Sequence, residues 1–386
     1  MGRITGIEAR ALGVHGPFAP VLDVNNNPDN PIINIRSFGE DPEDVSRLGT
    51  AFAQGVQEAG AIATGKHFPG HGDTETDSHL ALPIINVPRE RLDSVELAPF
   101  QAAIDGGIGG IMTAHLYLPA LTGEERVPTT LSKEVLTDLL REDMGFDGLV
   151  FTDAMDMYAI DRGYRRQEAA VRALEAGADV ILMPPDPDAA LEGLVTAVEE
   201  GRVTEERLDA SVLKVLRAKE GMGLDRERSV PVNEVAQRVG IPDHEEVAQE
   251  VADRSITLLK NGGDLLPLLG TRSARVLSVT YRGTTDLMAG RVFNARLRNT
   301  YPRLSVANMN RNSPAETYDG LLRRARTSNL VVVSLFVTIV SYSGNVAIPE
   351  EVSGFIQALA QEGISHVVVS FGNPYLLAEF PDARAY

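Results

Sequence analysis

Fourteen consecutive residues, Lys66 to His79, hold three histidines, three acids and a lysine around a Pro69-Gly70 turn. They follow Ala61-Ile62-Ala63-Thr64-Gly65, a small and mostly apolar run. An apolar strand ending in a glycine-punctuated polar loop is the usual way a rigid scaffold presents chemistry, so this loop is expected to form half of an active site. Within it, Asp77-Ser78-His79 is the most informative stretch. In an extended segment residues i and i+2 face the same side, so the Asp77 carboxylate can touch the His79 imidazole while Ser78 points away. A carboxylate there fixes the tautomer and raises the imidazole pKa, which suits the ring to giving and taking a proton near neutral pH. Two other readings stay open on these residues alone. One is a solvated loop whose acids and histidines pair incidentally. The other is a metal site built from His67, His71, Asp73 and His79, although Lys66 would place a cation beside the metal.

The elements that must position this loop repeat along the chain. Pro20-Val21-Leu22-Asp23-Val24 reads as a short buried strand followed by the turn-rich 25–31 segment, and a helix from about Glu43 to Ala59, opened by Asp41-Pro42, leads into the strand carrying Lys66 and His67. A helix near Leu92 to Asp105 precedes the strand 110–115, a helix from Ser132 to Glu142 precedes 148–153, and a helix near Gln167 to Ala176 precedes 178–183. Near-continuous apolar strands alternating with amphipathic helices indicate a parallel sheet covered by helices. Polar residues stand at the ends of most of these strands: Asp23, Lys66-His67, His115 and Asp153. That is the pattern of a (β/α) barrel; a doubly wound sheet also satisfies it, but no glycine-rich phosphate loop follows any strand. A carboxylate directly behind Leu149-Val150-Phe151 is seldom placed for solubility, so Asp153 is a functional candidate. His115 and Asp23 are expected to line the same pocket, whereas Asp156 reads as a helix cap and Met155 as a packing residue.

The chain has 386 residues, no Cys, no Trp and a formal net charge of -18. The length suggests two domains, and the acidic balance argues against nucleic acid or an anionic membrane as partner. Arg162, Arg165 and Arg166 form a short basic cluster that reads as solvated surface. No thiol chemistry is available, no apolar run reaches the roughly 18 residues of a membrane span, and a soluble protein is expected, with the compartment left open. Helices over 186–201 and 204–221 are expected to close a first domain at about residue 223, with a charged, proline-bearing linker over 224–243. A second, smaller α/β domain follows over 244–386, with buried strands at 276–279, 331–335 and 367–370.

These residues resemble glycoside hydrolase family 3, in its β-N-acetylglucosaminidase branch. The resemblance is carried by Lys66-His67-Phe68-Pro69-Gly70-His71-Gly72-Asp73-Thr74, Asp77-Ser78-His79 and Phe151-Thr152-Asp153-Ala154-Met155, and further by Asn34-Ile35-Arg36-Ser37-Phe38-Gly39, Leu258-Leu259-Lys260-Asn261 and Leu265-Leu266-Pro267-Leu268. It implies a TIM-type (β/α) barrel followed by an α/β sandwich, and a retaining exo-acting hydrolase of terminal β-GlcNAc in peptidoglycan-type sugars, without cofactor or metal. Asp153 would be the nucleophile, His79 the acid and base oriented by Asp77, and Arg36, Lys66 and His67 the donors to sugar hydroxyls, with His115 and Asp23 beside them. The usual retaining pair is two carboxylates, so the histidine is a departure, and a neutral imidazole base should better tolerate an anionic leaving group or acceptor. A phosphorolytic or β-glucosidase-type member, or a homologue that binds carbohydrate without turnover, is the alternative. Five strand candidates precede Gly223 where a complete barrel has eight, and the family's sugar-binding aspartate from an earlier loop has no counterpart in residues 1–19. The barrel is therefore expected to be incomplete at its N-terminal side, and the second domain to stop early.

Overall fold

The computed structural model describes residues 1–78, 80–268, 272–337 and 347–386. They form two compact units, Met1–Arg254 and a second beginning at Ser255, and each is built on a parallel sheet. In the first unit strands β1 (Thr64–Phe68), β2 (Gly110–Thr113) and β3 (Leu149–Phe151) pair in that order. The segment around Val21 adds a parallel bridge to Lys66 on one side, and Val180 adds one to Phe151 on the other. The five expected strand positions thus lie side by side in chain order. The two outermost contribute single bridges, and among the described residues the sheet does not close. Every residue of β2 is buried, as a central parallel strand covered on both faces requires.

Local chemistry accounts for the helices. Asp41 caps the helix Pro42–Glu58 by accepting from the Glu43 and Asp44 N–H groups at 2.8 and 3.2 Å, with Pro42 in the first turn. The helix Gly2–Ala11 packs against it and buries Gly2, Gly6 and Ala11, while Leu12 is exposed. A Cβ at Gly2 would stand 2.1 Å from the Phe52 carbonyl oxygen, so the close approach of the two backbones requires small residues. The single helix expected over 92–105 is two, Arg89–Ser94 and Ala98–Asp105. Pro99 explains the break, since it lacks an N–H and its ring would clash with the carbonyl four residues earlier. The break turns Glu96 inward, where it is buried against Arg91. The helix expected over 132–142 runs from Glu134 to Asp143 as a π-helix, burying Val135, Leu136, Leu139 and Leu140.

The segment read as a linker over 224–243, and the helix Pro242–Ser255 up to Arg254, belong to the first unit. The reason is a tie to the opening helix: the Glu8 carboxylate accepts from the Gly240 N–H at 3.0 Å and from His244 Nδ1 at 2.7 Å. The second unit has four parallel strands, β4 (Val276–Tyr281), β5 (Leu304–Met309), β6 (Leu330–Leu335) and β7 (His366–Ser370), in the order β5-β4-β6-β7. Alternate residues feed opposite faces: Leu277, Val279, Val331 and Val333 pack with Phe355 and Ile356, while Val276, Leu330, Val332 and Val367 pack with Phe293 and Leu297. Both faces are covered, which makes this an α/β sandwich.

Candidate active site

The carboxyl ends of β1, β2 and β3 lie along one edge of the first sheet, and the polar residues singled out in the sequence gather there. The β1–β2 register is regular to Gly65 and slips before Phe68, so the irregularity falls on Lys66 and His67. An irregularity at a strand end re-aims side chains that would otherwise follow the pleat. The Lys66–His67 and Phe68–Pro69 peptides are cis.

Asp23 is fully buried beneath His67 and does not line the pocket surface. Its Oδ1 accepts from the His71 N–H at 2.8 Å and its Oδ2 lies 2.7 Å from His67 Nδ1; the His67 N–H points at the same carboxylate at 3.1 and 3.2 Å. Burial opposes ionisation of this group, but the imidazoles and N–H groups around it outweigh that and hold its carboxyl below the usual carboxylate range. An ionised carboxylate only accepts, so the proton sits on His67 Nδ1. Arg36 NH2 lies 3.3 Å from His67 Nε2, so the two ring nitrogens of His67 face Arg36 and Asp23.

Asp153 stands directly after β3, partly exposed, with Oδ1 accepting from the Ala154 N–H at 2.8 Å. Burial pushes its pKa up, yet His67, His115 and the Ala154 N–H more than offset this, and the carboxyl lies below its usual range. His115, expected in the pocket lining, is also fully buried: Nε2 lies 2.9 Å from the Ala154 carbonyl oxygen and Nδ1 2.8 Å from Thr130 Oγ1. Burial lowers its pKa, and Nε2 donates to the carbonyl. It clamps the Asp153-Ala154 turn from below. Lys66 is half-buried, and burial together with the Arg36 cation lowers its pKa against the pull of Asp153 and Asp23.

Asp77 is buried, and its carbonyl accepts from the Leu80 and Ala81 N–H groups at 2.9 and 3.1 Å. His79 lies outside the described residues. Among the described residues no cluster of three or more His, Cys, Asp or Glu is placed to hold a metal ion.

Residues 1–218 match the family described as Glycosyl hydrolase family 3 N terminal domain. The chain belongs to glycosyl hydrolase family 3. Its relatives include a protein from Cellulomonas fimi named beta-N-acetylglucosaminidase/beta-glucosidase, 36% identical over 282 residues, which are 71% of this chain and 50% of that one. The chain thus spans about half the length of the curated relatives it matches. Among solved structures it is similar to the family 3 beta-N-acetylglucosaminidase from Paenibacillus sp. str. FPU-7, with a TM-score of 0.88 and 36% identity, covering 100% of this chain and 72% of that one. It is also similar to the beta-glucoside phosphorylase BglX, with a TM-score of 0.87 and 27% identity, covering 100% of this chain and 72% of that one. A parallel α/β barrel-type domain followed by an α/β sandwich is the architecture shared with these family 3 proteins.

Some residues of this family 3 site were not singled out in the sequence. Asn30 donates through Nδ2 to the carbonyls of His71 and Gly72, both at 2.8 Å, which ties the 25–31 turn to the histidine loop. Glu96 accepts from Arg91 NH1 at 2.9 Å with both oxygens, and its Cβ would lie 2.8 Å from a Cβ built on Gly70. The inward turn at Pro99 was the one signal in the sequence that could have placed Glu96 there.

Proposed function

We propose that this chain is the catalytic part of a retaining β-N-acetylglucosaminidase that removes terminal β-GlcNAc from peptidoglycan-type saccharides. The observation that carries the reading is Asp153: an ionised carboxylate with one oxygen held by a backbone N–H, at the strand edge where Lys66, His67 and Arg36 gather. Asp153 Oδ2 attacks the anomeric carbon as the bond to the leaving oxygen breaks. His79, with Asp77 two residues before it, gives that oxygen its proton. The imidazole then takes a proton from water, which attacks the anomeric carbon and releases Asp153. Arg36, Lys66 and His67 hydrogen-bond to ring hydroxyls. The names of the relatives from Cellulomonas fimi and Paenibacillus support GlcNAc as the sugar. The similarity to a phosphorylase favours a second reading, in which phosphate replaces water as acceptor.

The test is covalent trapping with a fluorinated GlcNAc-type mechanism-based inhibitor, followed by peptide mass mapping. The expected label sits on the peptide containing Asp153, and a label elsewhere, or none from a folded chain that binds GlcNAc, overturns the reading. Products formed in phosphate buffer decide the acceptor: free GlcNAc for water, GlcNAc-1-phosphate for phosphorolysis.

A further inference from the structure

The turn that carries Asp153 is held from beneath by side chains that take no part in the reaction proposed above. Thr113 ends β2, His115 follows it, and Thr130 sits in the short turn Thr129–Leu131; all three are fully buried. The β2–β3 register pairs Met112 with Phe151, so Thr113 runs alongside Thr152, and the Asp153 N–H meets Thr113 Oγ1 at 3.4 Å. Thr113 Oγ1 lies 2.7 Å from Thr130 Oγ1, which lies 2.8 Å from His115 Nδ1. His115 Nε2 returns to the turn by donating to the Ala154 carbonyl at 2.9 Å. These contacts close a ring that begins and ends on the Asp153-Ala154 dipeptide.

Proton counting gives the ring a direction. Each threonine hydroxyl has one proton to donate and two lone pairs to accept with. The Ala114 carbonyl is met by Thr129 Oγ1 at 2.6 Å and by Thr130 Oγ1 at 2.8 Å. Thr129 alone satisfies it, which frees the Thr130 proton for His115 Nδ1. Burial lowers the pKa of His115 and so favours the form of the ring that has one nitrogen to accept with. Thr130 then accepts from Thr113, and Thr113 from the Asp153 N–H. Every donor points the same way round, and hydrogen bonds in such a chain polarise one another. The 3.4 Å link is the longest and the weakest. Between its two ends the Ala154 N–H donates to Asp153 Oδ1 at 2.8 Å, so the carboxylate is oriented by a backbone that is itself tied on both sides.

We propose that Thr113, Thr130 and His115 are positioning residues for the nucleophile, and that their ring holds Asp153 at the angle from which its carboxylate meets the anomeric carbon. The inference rests on the glycosidase reading above and extends it to three buried residues beneath the pocket. Displacing a reacting group by about 1 Å can cost about 10²-fold in rate. Binding of the sugar by Arg36, Lys66 and His67 would be left as it was.

The test compares Thr113→Val, Thr130→Val and Thr64→Val in the full chain. Valine keeps a branched side chain and removes the hydroxyl. Thr64 is equally buried in the same sheet, but its hydroxyl has no partner, so it reports the effect of the substitution itself. In the two ring variants kcat/KM for 4-nitrophenyl β-N-acetylglucosaminide should fall about 30- to 100-fold, with the Kd for GlcNAc within about twofold of the parent. Thr113→Ser and Thr130→Ser should restore it to within about threefold, and Thr64→Val should match the parent. Ring variants within about threefold of the parent overturn the inference and leave the glycosidase reading standing. A loss of GlcNAc affinity in step with the rate also overturns it, because that marks a collapsed site. A folded parent chain without turnover overturns both. Where the valine variants fail to fold, nitrogen NMR of the His115 ring in the parent, assigned through its backbone, decides: at neutral pH Nε2 should carry the proton and Nδ1 should accept, and a proton on Nδ1 breaks the ring and overturns the inference.

Discussion

Replacing Asp23 by asparagine keeps the side-chain shape and reverses the hydrogen-bond sense of one of its two ends. The carboxylate accepts from the His67 and His71 backbone and from His67 Nδ1, so an amide NH2 would face donors on one side. Leaving buried donors unmatched beside a lost charge should cost about 2–4 kcal/mol, read as a lower urea midpoint at unchanged m. Catalysis should fall with it, because His67 would lose the carboxylate that its Nδ1 faces. A second residue-scale effect is set by His71, whose ring is 2% exposed and whose pKa is lowered to about 4, chiefly by burial and then by His67. The unfolded chain binds this proton near pH 6.5 and the folded one only near 4. The contribution is therefore complete above pH 6.5 and is lost progressively as pH falls toward 4. Between pH 7 and pH 5 the loss should be on the order of 2 kcal/mol. Asp23 and Asp153, both held below the usual range, extend the loss below about pH 4. Urea melts across this range should show that slope in the parent chain and a flatter one in His71→Gln; parallel slopes would contradict the assignment.

At the scale of elements, the site depends on how closely the histidine loop lies against the 24–25 segment. A Cβ built on Gly72 would stand 1.6 Å from the Val24 carbonyl oxygen, which is backbone and cannot swing away. Gly72→Ala should therefore lower stability by about 2 kcal/mol or more and depress activity at the same time. Gly16→Ala, where nothing lies within 4 Å of the added atom, should change neither. Thermal melts and turnover of the two variants side by side would settle this. The strands and most helices of this unit were legible, because apolar runs and the Asp41-Pro42 helix start are local signals. What escaped was whatever depended on depth. The sequence places Asp23 and His115 at strand ends, but it does not say that both point beneath the pocket rather than into it. The split of the 92–105 helix was in principle readable from Pro99. The tie of Glu8 to Gly240 and His244, which draws the expected linker into the first unit, joins residues more than 230 positions apart and leaves no local trace.

At the scale of the molecule, each unit has its own hydrophobic core, the first around residues such as Phe68, Phe100 and Leu136, the second around the two faces of its four-stranded sheet. Heat unfolding should depart from a single two-state transition, with a calorimetric enthalpy above the van't Hoff value. Val333→Ala, in a fully buried position of β6, should cost about 2 kcal/mol and lower one component of the melt more than the other. A uniform shift of one sharp transition would contradict that picture. The parallel architecture and the acidic character were both readable from the sequence, since alternating apolar runs and charge counts need no tertiary information. No described helix is long and apolar enough to cross a membrane.

The measurement that bears most directly on the central claim is the release of 4-nitrophenol from 4-nitrophenyl β-N-acetylglucosaminide by the full chain, beside Asp153→Ala. Loss of a nucleophile that must form the covalent intermediate should lower turnover by at least about 10³-fold while the variant keeps its fold and its affinity for GlcNAc. Turnover by Asp153→Ala within about tenfold of the parent would contradict the role assigned to Asp153 and, with it, the proposed reaction.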